Sequence, residues 1–236
     1  MSADASASYL AALQLADSFF PSGTYAHSQG LEGMVTRGWV RNADDLGEYL
    51  RNLLTWSILP CDGVALLNAH PAARDGDLTT LVEIDWRLHA MKLPAELRVA
   101  SGHAGRRILD ETAPLLLGET GRAVHGEFRR LVTERETPGT GAVALGVAAG
   151  AVGIDAGNAL LMHCHSFAVG VLGAAQRLLP ITHSEAQRIL HGLHQPVIGA
   201  MAALQYRDWR EMTSFAPQTD IASMMHEHDD VRMFAS

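Results

Sequence analysis

The side chains best suited to metal chemistry in this sequence are its histidines, twelve among 236 residues. His163 and His165 flank a cysteine, but residues two apart on a helix point about 200° away from each other, so this pair does not readily reach one metal ion. His191 and His194 are better spaced, three apart, yet no third ligand lies nearby in the sequence. The pattern therefore favours a packed core or interface helix around His163 and His165 over a metal centre.

The C-terminal tail, residues 215–236, carries a second set of candidate ligands. His226, His228, Asp229 and Asp230 supply nitrogen and oxygen donors that suit weak transition-metal binding. Apolar side chains lie in the same segment: Ile221, Met224, Met225, Val231, Met233 and Phe234. Chain ends fray unless they are docked, and methionine-rich surfaces adapt to partners. Two interpretations stay open: the tail packs on its own domain, or it becomes ordered against another protein.

Nucleotide and nucleophile motifs are the next candidates, and the sequence argues against them. Gly139–Ala144 (GTGAVA) matches the dinucleotide pattern G-x-G-x-x-A, but a charged loop precedes it where the pattern needs a strand. The one lysine, Lys92, lies in Met-Lys-Leu-Pro, which excludes a P-loop NTPase and a protein kinase. No G-x-S-x-G, H-E-x-x-H or C-x-x-C occurs. Residues close in the sequence therefore assemble no catalytic site.

The elements that must position these groups are helices. Apolar residues recur at helical spacing after Asn42, which we expect to cap a helix that Pro60 ends. Similar stripes predict helices in residues 81–91, 94–109, 123–134, 158–179 and 182–204, the last with a kink at Pro196. Alternating runs typical of strands are absent. We therefore predict an all-α, single-domain bundle of about eight to ten helices, with residues 1–214 as the body and 215–236 as a tail of the same domain.

Composition limits the classes of partner and the location. Eighteen basic against 26 acidic residues give a net charge of -8, which disfavours nucleic-acid binding. Two cysteines form no disulfide framework and residues 1–8 lack the regions of a signal peptide, so we expect a cytoplasmic protein. The longest apolar run, Ala142–Ile154, has 13 residues. A membrane span needs about 20, so we expect a tightly packed helix there and no membrane association.

Three segments resemble the signatures of one protein family. Leu13–Gly23 (LQLADSFFPSG), followed by His27–Glu32 (HSQGLE), is similar to the N-terminal signature of the urease accessory protein UreF family. Leu93–Ser101 (LPAELRVAS), with Gly105–Arg107 (GRR), resembles the middle motif of that family. Asp220–Glu227 (DIASMMHE), with the final RMFAS, resembles its C-terminal signature. The three motifs keep the family's order and are spread over nearly the whole chain.

The resemblance implies a function and a set of partners. A member of this family is expected to be all-α, cytoplasmic, dimeric and not an enzyme, to bind UreD (also called UreH), and to recruit the GTPase UreG. The complex would insert nickel into apo-urease with GTP hydrolysis, and the chain would modulate the UreG GTPase. Nickel is then cargo, and neither a cofactor nor a resident metal is expected.

Carried over by position, the resemblance also implies which residues bind partners. In the tail these are Asp220, Ile221, Ser223, Met224, His226, Glu227, Arg232 and Phe234. In the N-terminal motif they are Pro21, Ser22, Gly23, His27, Ser28, Gln29, Gly30 and Glu32. Two alternatives stay open: a histidine-rich metal-binding helical protein or metalloenzyme, and a helical ligand-binding enzyme. The second would need an enclosed apolar cavity with converging polar groups.

Overall fold

The computed structural model describes residues 3–23, 27–229 and 232–234, and within them helices account for the regular structure and no β-strand is formed. The all-α prediction is therefore confirmed. The α-helices are α1 Ala3–Ala16, α2 Leu31–Thr36, α3 Ala43–Leu53, α4 Val64–Asp75, α5 Leu78–Met91, α6 Ala95–Thr112, α7 Glu119–Thr133, α8 Gly141–Ala151, α9 Ala156–Leu178, α10 His183–Gly192, α11 His194–Leu204 and α12 Pro217–His226. A π-helical segment, Leu54–Gly63, joins α3 to α4.

Two pairs of these helices are continuous or nearly so, and each pair can be counted as one helix. Helix α3 runs through the π-helical segment into α4, and only Leu193 separates α10 from α11. Counted this way, the described part of the chain holds ten helices, within the predicted range. The kink predicted at Pro196 is instead a break at Leu193. Pro196 lies in the first turn of α11, where a missing backbone N–H leaves no helical bond unmade.

Pro60 does not end its helix, contrary to the prediction. It lies inside the π-helical segment, whose wider turn accommodates the proline ring and the missing N–H. The missing N–H leaves the Trp56 carbonyl without the donor that an α-helix would supply. The Phe215 N–H donates to that carbonyl at 2.8 Å, and the Thr213 N–H donates to the Pro60 carbonyl at 3.1 Å. These two backbone bonds attach the start of the C-terminal tail to the helical body.

Helix α8 is the centre of the core. It consists of alanine, glycine, valine and one leucine, and nearly every residue is buried against α4, α6 and α9. By length and apolarity alone, α9 is the one described helix that could cross a bilayer. Half of its most apolar stretch is buried inside this fold, where α9 contacts α1, α4 and α8. Burial of this kind is what the core helix of a globular protein shows.

The loop that matches the dinucleotide pattern holds a side chain of the protein itself. Asp85 is fully buried on α5, and its carboxylate accepts bonds from the Gly139 N–H at 2.6 Å and the Thr140 N–H at 2.7 Å. The hydroxyl groups of Thr137 and Thr140 donate to the same carboxylate. The N-terminus of a helix favours an anion, and Asp85 occupies that position at the start of α8. The loop therefore joins α5 to α8.

Candidate partner-docking surface

The three signature segments, far apart in the sequence, meet at one place in the fold. Helix α12, from the C-terminal signature, packs against α2, whose first two residues end the N-terminal signature. The same helix also contacts α6, which begins inside the middle motif. The tail of this chain therefore packs on its own domain.

Two glycines allow α12 to approach α2 this closely. A Cβ on Gly33 would lie 2.5 Å from the Ala222 carbonyl oxygen. A Cβ on Gly30 would lie 2.7 Å from Ser223 Oγ and from a methyl group of Thr219. Gly30 also has a φ of +85°, in the left-handed region that glycine adopts without strain. Gly30 of the N-terminal signature is thus required for the close packing of α12, which carries the C-terminal signature.

A buried glutamate holds the end of the tail. Glu32, on α2, accepts bonds from the Met233 N–H at 2.7 Å and the Phe234 N–H at 2.8 Å. Its Oε2 atom also lies 3.1 Å from Nε2 of His226, which is fully buried. These two bonds hold residues 233 and 234 against α2.

Glu96, at the start of α6, holds the same segment from the other side. Its carboxylate lies 2.6 Å from Nη1 of Arg232 and 3.5 Å from Nδ1 of His226. Its backbone N–H donates to the Glu227 carboxylate at 3.2 Å. Pro94, the N-cap of α6, supplies no side-chain cap. Glu227 therefore caps α6 from the tail, in a position where negative charge is favourable.

Two further contacts complete this attachment. Arg37 forms an ion pair with Asp229 at 3.2 Å, and the guanidinium of Arg177 lies 4.7 Å from the centre of the Phe234 ring, within cation–π range. We call the whole set the tail latch: Glu32, Arg37, Glu96, Arg177, His226, Glu227, Asp229, Arg232 and Phe234. It links the tail to three helices of the body.

Burial divides the predicted partner-binding residues into three groups. Those that hold the chain together are buried: Ser28, Gly30, Glu32, Ser223, His226 and Phe234. Those at intermediate exposure are Ser22, Gly23, His27, Gln29, Asp220 and Glu227. Those on the surface are Pro21, Ile221, Met224 and Arg232. The side chains of the last group are the ones that solvent reaches most freely. Val231, from the predicted apolar set, and Asp230, from the predicted ligand set, lie outside the described residues.

The outward side of the tail carries several exposed apolar side chains. Ile221 and Met225 are about half exposed, Met224 is 39% exposed and Met233 is 54% exposed. The N–H of Phe215, which is 72% exposed, donates a hydrogen bond to the carbonyl of Trp56, which is also exposed. Exposed apolar groups this concentrated on one segment mark interaction surfaces in soluble proteins. We call Ile221, Met224, Met225 and Met233 the outer tail face.

A cavity of about 190 Å³ lies behind the inner side of the same segment. Its lining is mostly apolar, but Asp62 and Lys92 form an ion pair there at 2.8 Å. Burial acts to lower the pKa of the Lys92 ammonium, and the adjacent Asp62 carboxylate outweighs it and raises that pKa. Burial raises the pKa of the nearby Asp220 carboxyl. A cavity with polar groups is what the ligand-binding alternative predicts, although these two charges already neutralise each other.

The histidines on α9 point to opposite sides, as their spacing predicts. His163 lines the cavity, and burial lowers the pKa of its imidazole. His165 lines a separate apolar groove between α1, α9 and the α10–α11 pair. The rings of His191 and His194 touch edge to face, 5.1 Å between centres. Across the described ranges, no three His, Cys, Asp or Glu side chains are grouped so that they could hold a metal ion.

Sequence reasoning missed several residues of the latch. Glu96 lies within the middle motif, so its position in a signature was a signal that could have been used. Arg37, Asp229 and Arg177 carried no such signal. Their contacts join residues far apart in the chain, and no local pattern announces them.

Comparison with known proteins decides the family. The family model described as UreF matches residues 40–194, about two thirds of the chain. The chain belongs to the UreF family. Among its relatives are urease accessory protein UreF 2 of Brucella canis, 32% identical over 94% of this chain and 89% of the relative. The urease accessory protein UreF of Photorhabdus laumondii is 28% identical, over 95% of this chain and 96% of that protein.

These full-length matches cover more of the chain than the UreF family model does. The match to the family model ends before α12 and begins after the N-terminal signature. The relative from Yersinia enterocolitica, at 26% identity, is likewise matched over 95% of this chain. Similarity to the UreF family thus extends over nearly the whole fold.

Proposed function

We propose that this chain is a urease accessory protein that scaffolds a complex with UreD/UreH and the GTPase UreG in the cytoplasm. The complex would insert nickel into apo-urease with GTP hydrolysis, and the chain would modulate the UreG GTPase. Membership in the UreF family supports this proposal, as do relatives named urease accessory proteins. Nickel is cargo in this scheme, so the chain needs neither a resident metal nor a cofactor, and it is not an enzyme.

The observation that carries the proposal is the outer tail face. Its four exposed apolar side chains are methionines and an isoleucine, which suit an adaptable apolar contact. Such anchors supply most of the affinity of a typical interface. Because the tail latch already orders the segment, a partner that docks there would lose little further conformational entropy on binding.

Charged groups at the edge of this face would select the partner. Arg232 is exposed beside the outer tail face, while Glu227 is half-exposed beneath it. Charges at an interface rim mainly affect association rate and partner choice, whereas apolar anchors determine affinity. We therefore assign UreD/UreH to the outer tail face.

The expected homodimer has a separate candidate surface. An apolar groove runs between α1, α9 and the α10–α11 pair, and Leu13, Leu161 and Ile198 leave apolar surface exposed beside it. The groove shares no residue with the outer tail face. A dimer formed there would leave UreD/UreH binding undisturbed.

Co-expression with UreD/UreH, followed by size exclusion with light scattering, tests the assignment. We expect Met224→Asp to weaken the complex by about 30-fold or more, as loss of an interface anchor does. The matched control is Leu117→Asp, which changes another exposed apolar side chain, beyond the far end of α6. Equal binding by the two variants would contradict the docking site. No complex with the unaltered chain would contradict the proposed function itself.

A further inference from the structure

The cavity behind the tail has one wall that belongs to the tail. Ala216, Thr219 and Asp220 line it from that side, whereas Cys61 and His163 line it from the helical body. The inward side of α12 therefore forms one wall of the cavity, and its outward side carries the outer tail face.

One residue that lines this cavity has a polar atom without a hydrogen-bond partner among the described residues. Nε2 of His163 is buried and has no hydrogen-bond partner among the described residues. Lys92 donates two hydrogen bonds, both to Asp62, although an ammonium has three N–H groups. Buried polar atoms are costly unless water or another partner reaches them. Water or a small polar solute in the cavity would satisfy these groups.

The attachments of the tail differ at its two ends. At the start, Thr213 and Phe215 donate backbone bonds to carbonyls of the π-helical segment. At the end, the tail latch holds the chain through side chains, and Arg232 and Asp229 in that latch remain partly exposed. Side-chain attachments of this kind open at lower free energy than a buried core. Movement of α12 would also separate the buried Ala222 and Ser223 from α2, while the backbone bonds at residues 213 and 215 would remain as the pivot.

We propose that α12 is a lid over the cavity, hinged at residues 213–215 and held closed by the tail latch. Release of the latch exposes the part of the cavity beside the buried Cys61 to small solutes while the helical body stays folded. The inference concerns the isolated chain and does not rest on the proposed partners.

A cysteine in the cavity wall reports on the opening. Cys61 is buried, and burial raises the pKa of its thiol to about 12, so the closed form reacts slowly with alkylating reagents. Opening of the lid would hydrate the thiol and permit alkylation. Cys164 is equally buried but lines the separate groove, which no residue of α12 lines, so release of the lid should leave its exposure unchanged.

The experiment measures alkylation by iodoacetamide, followed by intact mass, in chains that keep one cysteine each. In the Cys164→Ala chain, we expect Glu32→Gln to speed alkylation of Cys61 by about tenfold or more, because an amide cannot replace a carboxylate that accepts two N–H groups beside an imidazole. Glu48→Gln removes an exposed glutamate and should leave the rate unchanged. In the Cys61→Ala chain, Glu32→Gln should leave the rate at Cys164 unchanged.

Two results would overturn the lid. One is an unchanged rate at Cys61, and the other is equal acceleration at Cys61 and Cys164, which indicates general loosening. Should Glu32→Gln fail to fold, Arg37→Gln removes a peripheral latch contact, with Arg41→Gln as control because Arg41 pairs with Asp45 on the exposed start of α3. We expect a smaller acceleration, of about threefold, at Cys61 for Arg37→Gln and none for Arg41→Gln.

Discussion

Two buried carboxylates in this protein each connect distant segments of the chain by accepting backbone N–H groups, but their surroundings differ. Asp85 receives two backbone N–H groups from the loop before α8, and Glu32 receives two from the end of the tail. Each carboxylate joins segments that are 50 or more residues apart in the chain. The joint at Asp85 lies in the core, whereas the joint at Glu32 lies at the edge of the fold.

Asp85 and Glu32 differ in the other groups that surround each carboxylate. Asp85 takes its other bonds from two threonine hydroxyls, so every hydrogen-bond partner is neutral and lies within residues 137–140. Glu32 faces the imidazole of His226, which lies near Glu96, and Glu96 in turn pairs with the exposed Arg232. We expect a carboxylate that is buried among neutral donors to form a contact that opens only when the whole fold unfolds. The same group beside ionisable and partly solvated side chains forms a contact that opens in local unfolding.

The largest effect is expected from Asp85→Asn. An asparagine amide would face two or more of the four donors with an N–H group, leaving buried donors unpaired. We expect the free energy of unfolding to fall by about 3 kcal/mol or more, measured by urea denaturation. Glu83→Gln, an exposed change on the same helix, is the control and should fall within about 0.5 kcal/mol of the unaltered protein. A loss below about 1 kcal/mol for Asp85→Asn would contradict a contact that opens only when the whole fold unfolds.

A smaller and more local effect is expected from Glu32→Gln. We expect faster amide hydrogen exchange in α12 and at residues 233–234, with unchanged exchange in α8, and a loss of about 2 kcal/mol in the stability of the tail. Glu48→Gln again serves as control. Faster exchange in α8 as well would contradict this expectation, because it would show that the Glu32 contact opens together with the core.

The effect that is smallest at neutral pH appears on acidification and separates the body from the tail. His125 is buried in the body, with Nε2 3.0 Å from the Thr112 hydroxyl, and burial lowers its pKa to about 4 from an ordinary 6.5. The unfolded chain therefore binds a proton that the folded chain excludes as pH falls from 6.5 towards 4. Stability should decline in that window by up to about 1.4 kcal/mol per pH unit.

Urea denaturation of His125→Gln across the same window checks this prediction. We expect the part of the acid sensitivity that comes from His125 to disappear, so that the curve against pH is flatter than for the unaltered protein. An unchanged slope between pH 6.5 and 4 would show that the acid sensitivity of the body arises elsewhere.

Local features of the fold were predictable because local physics controls them. The Asn42 side chain accepts bonds from the N–H groups of Asp44 and Asp45, as its capping position predicts. Thr182 and Glu185 form the capping box that their spacing indicates. Pro60 was misjudged because a proline usually ends a helix, and the π-helical turn that accommodates it depends on donors from residues 213 and 215.

The candidate site was predictable as a set of residues but not as an arrangement. The signatures identified both α2 and α12, and the resemblance assigned their residues together to a partner. Most of Glu32, Ser223 and His226 is nevertheless buried between these helices. Glu96 and Arg37 complete the contact although neither was assigned to it.

By itself, the sequence determined the helical class, the helix caps, the absence of known catalytic motifs and the likeness to the UreF family. These follow from spacing, from residue type and from short motifs, all of which act within a few turns of chain. Only the tertiary structure decided that Glu32 and Glu96 close on the tail, that Ile221 and Met224 face outward, and that a cavity lies behind them. The physical reason is that burial and ion pairing depend on which surfaces pack together across some 200 residues of chain.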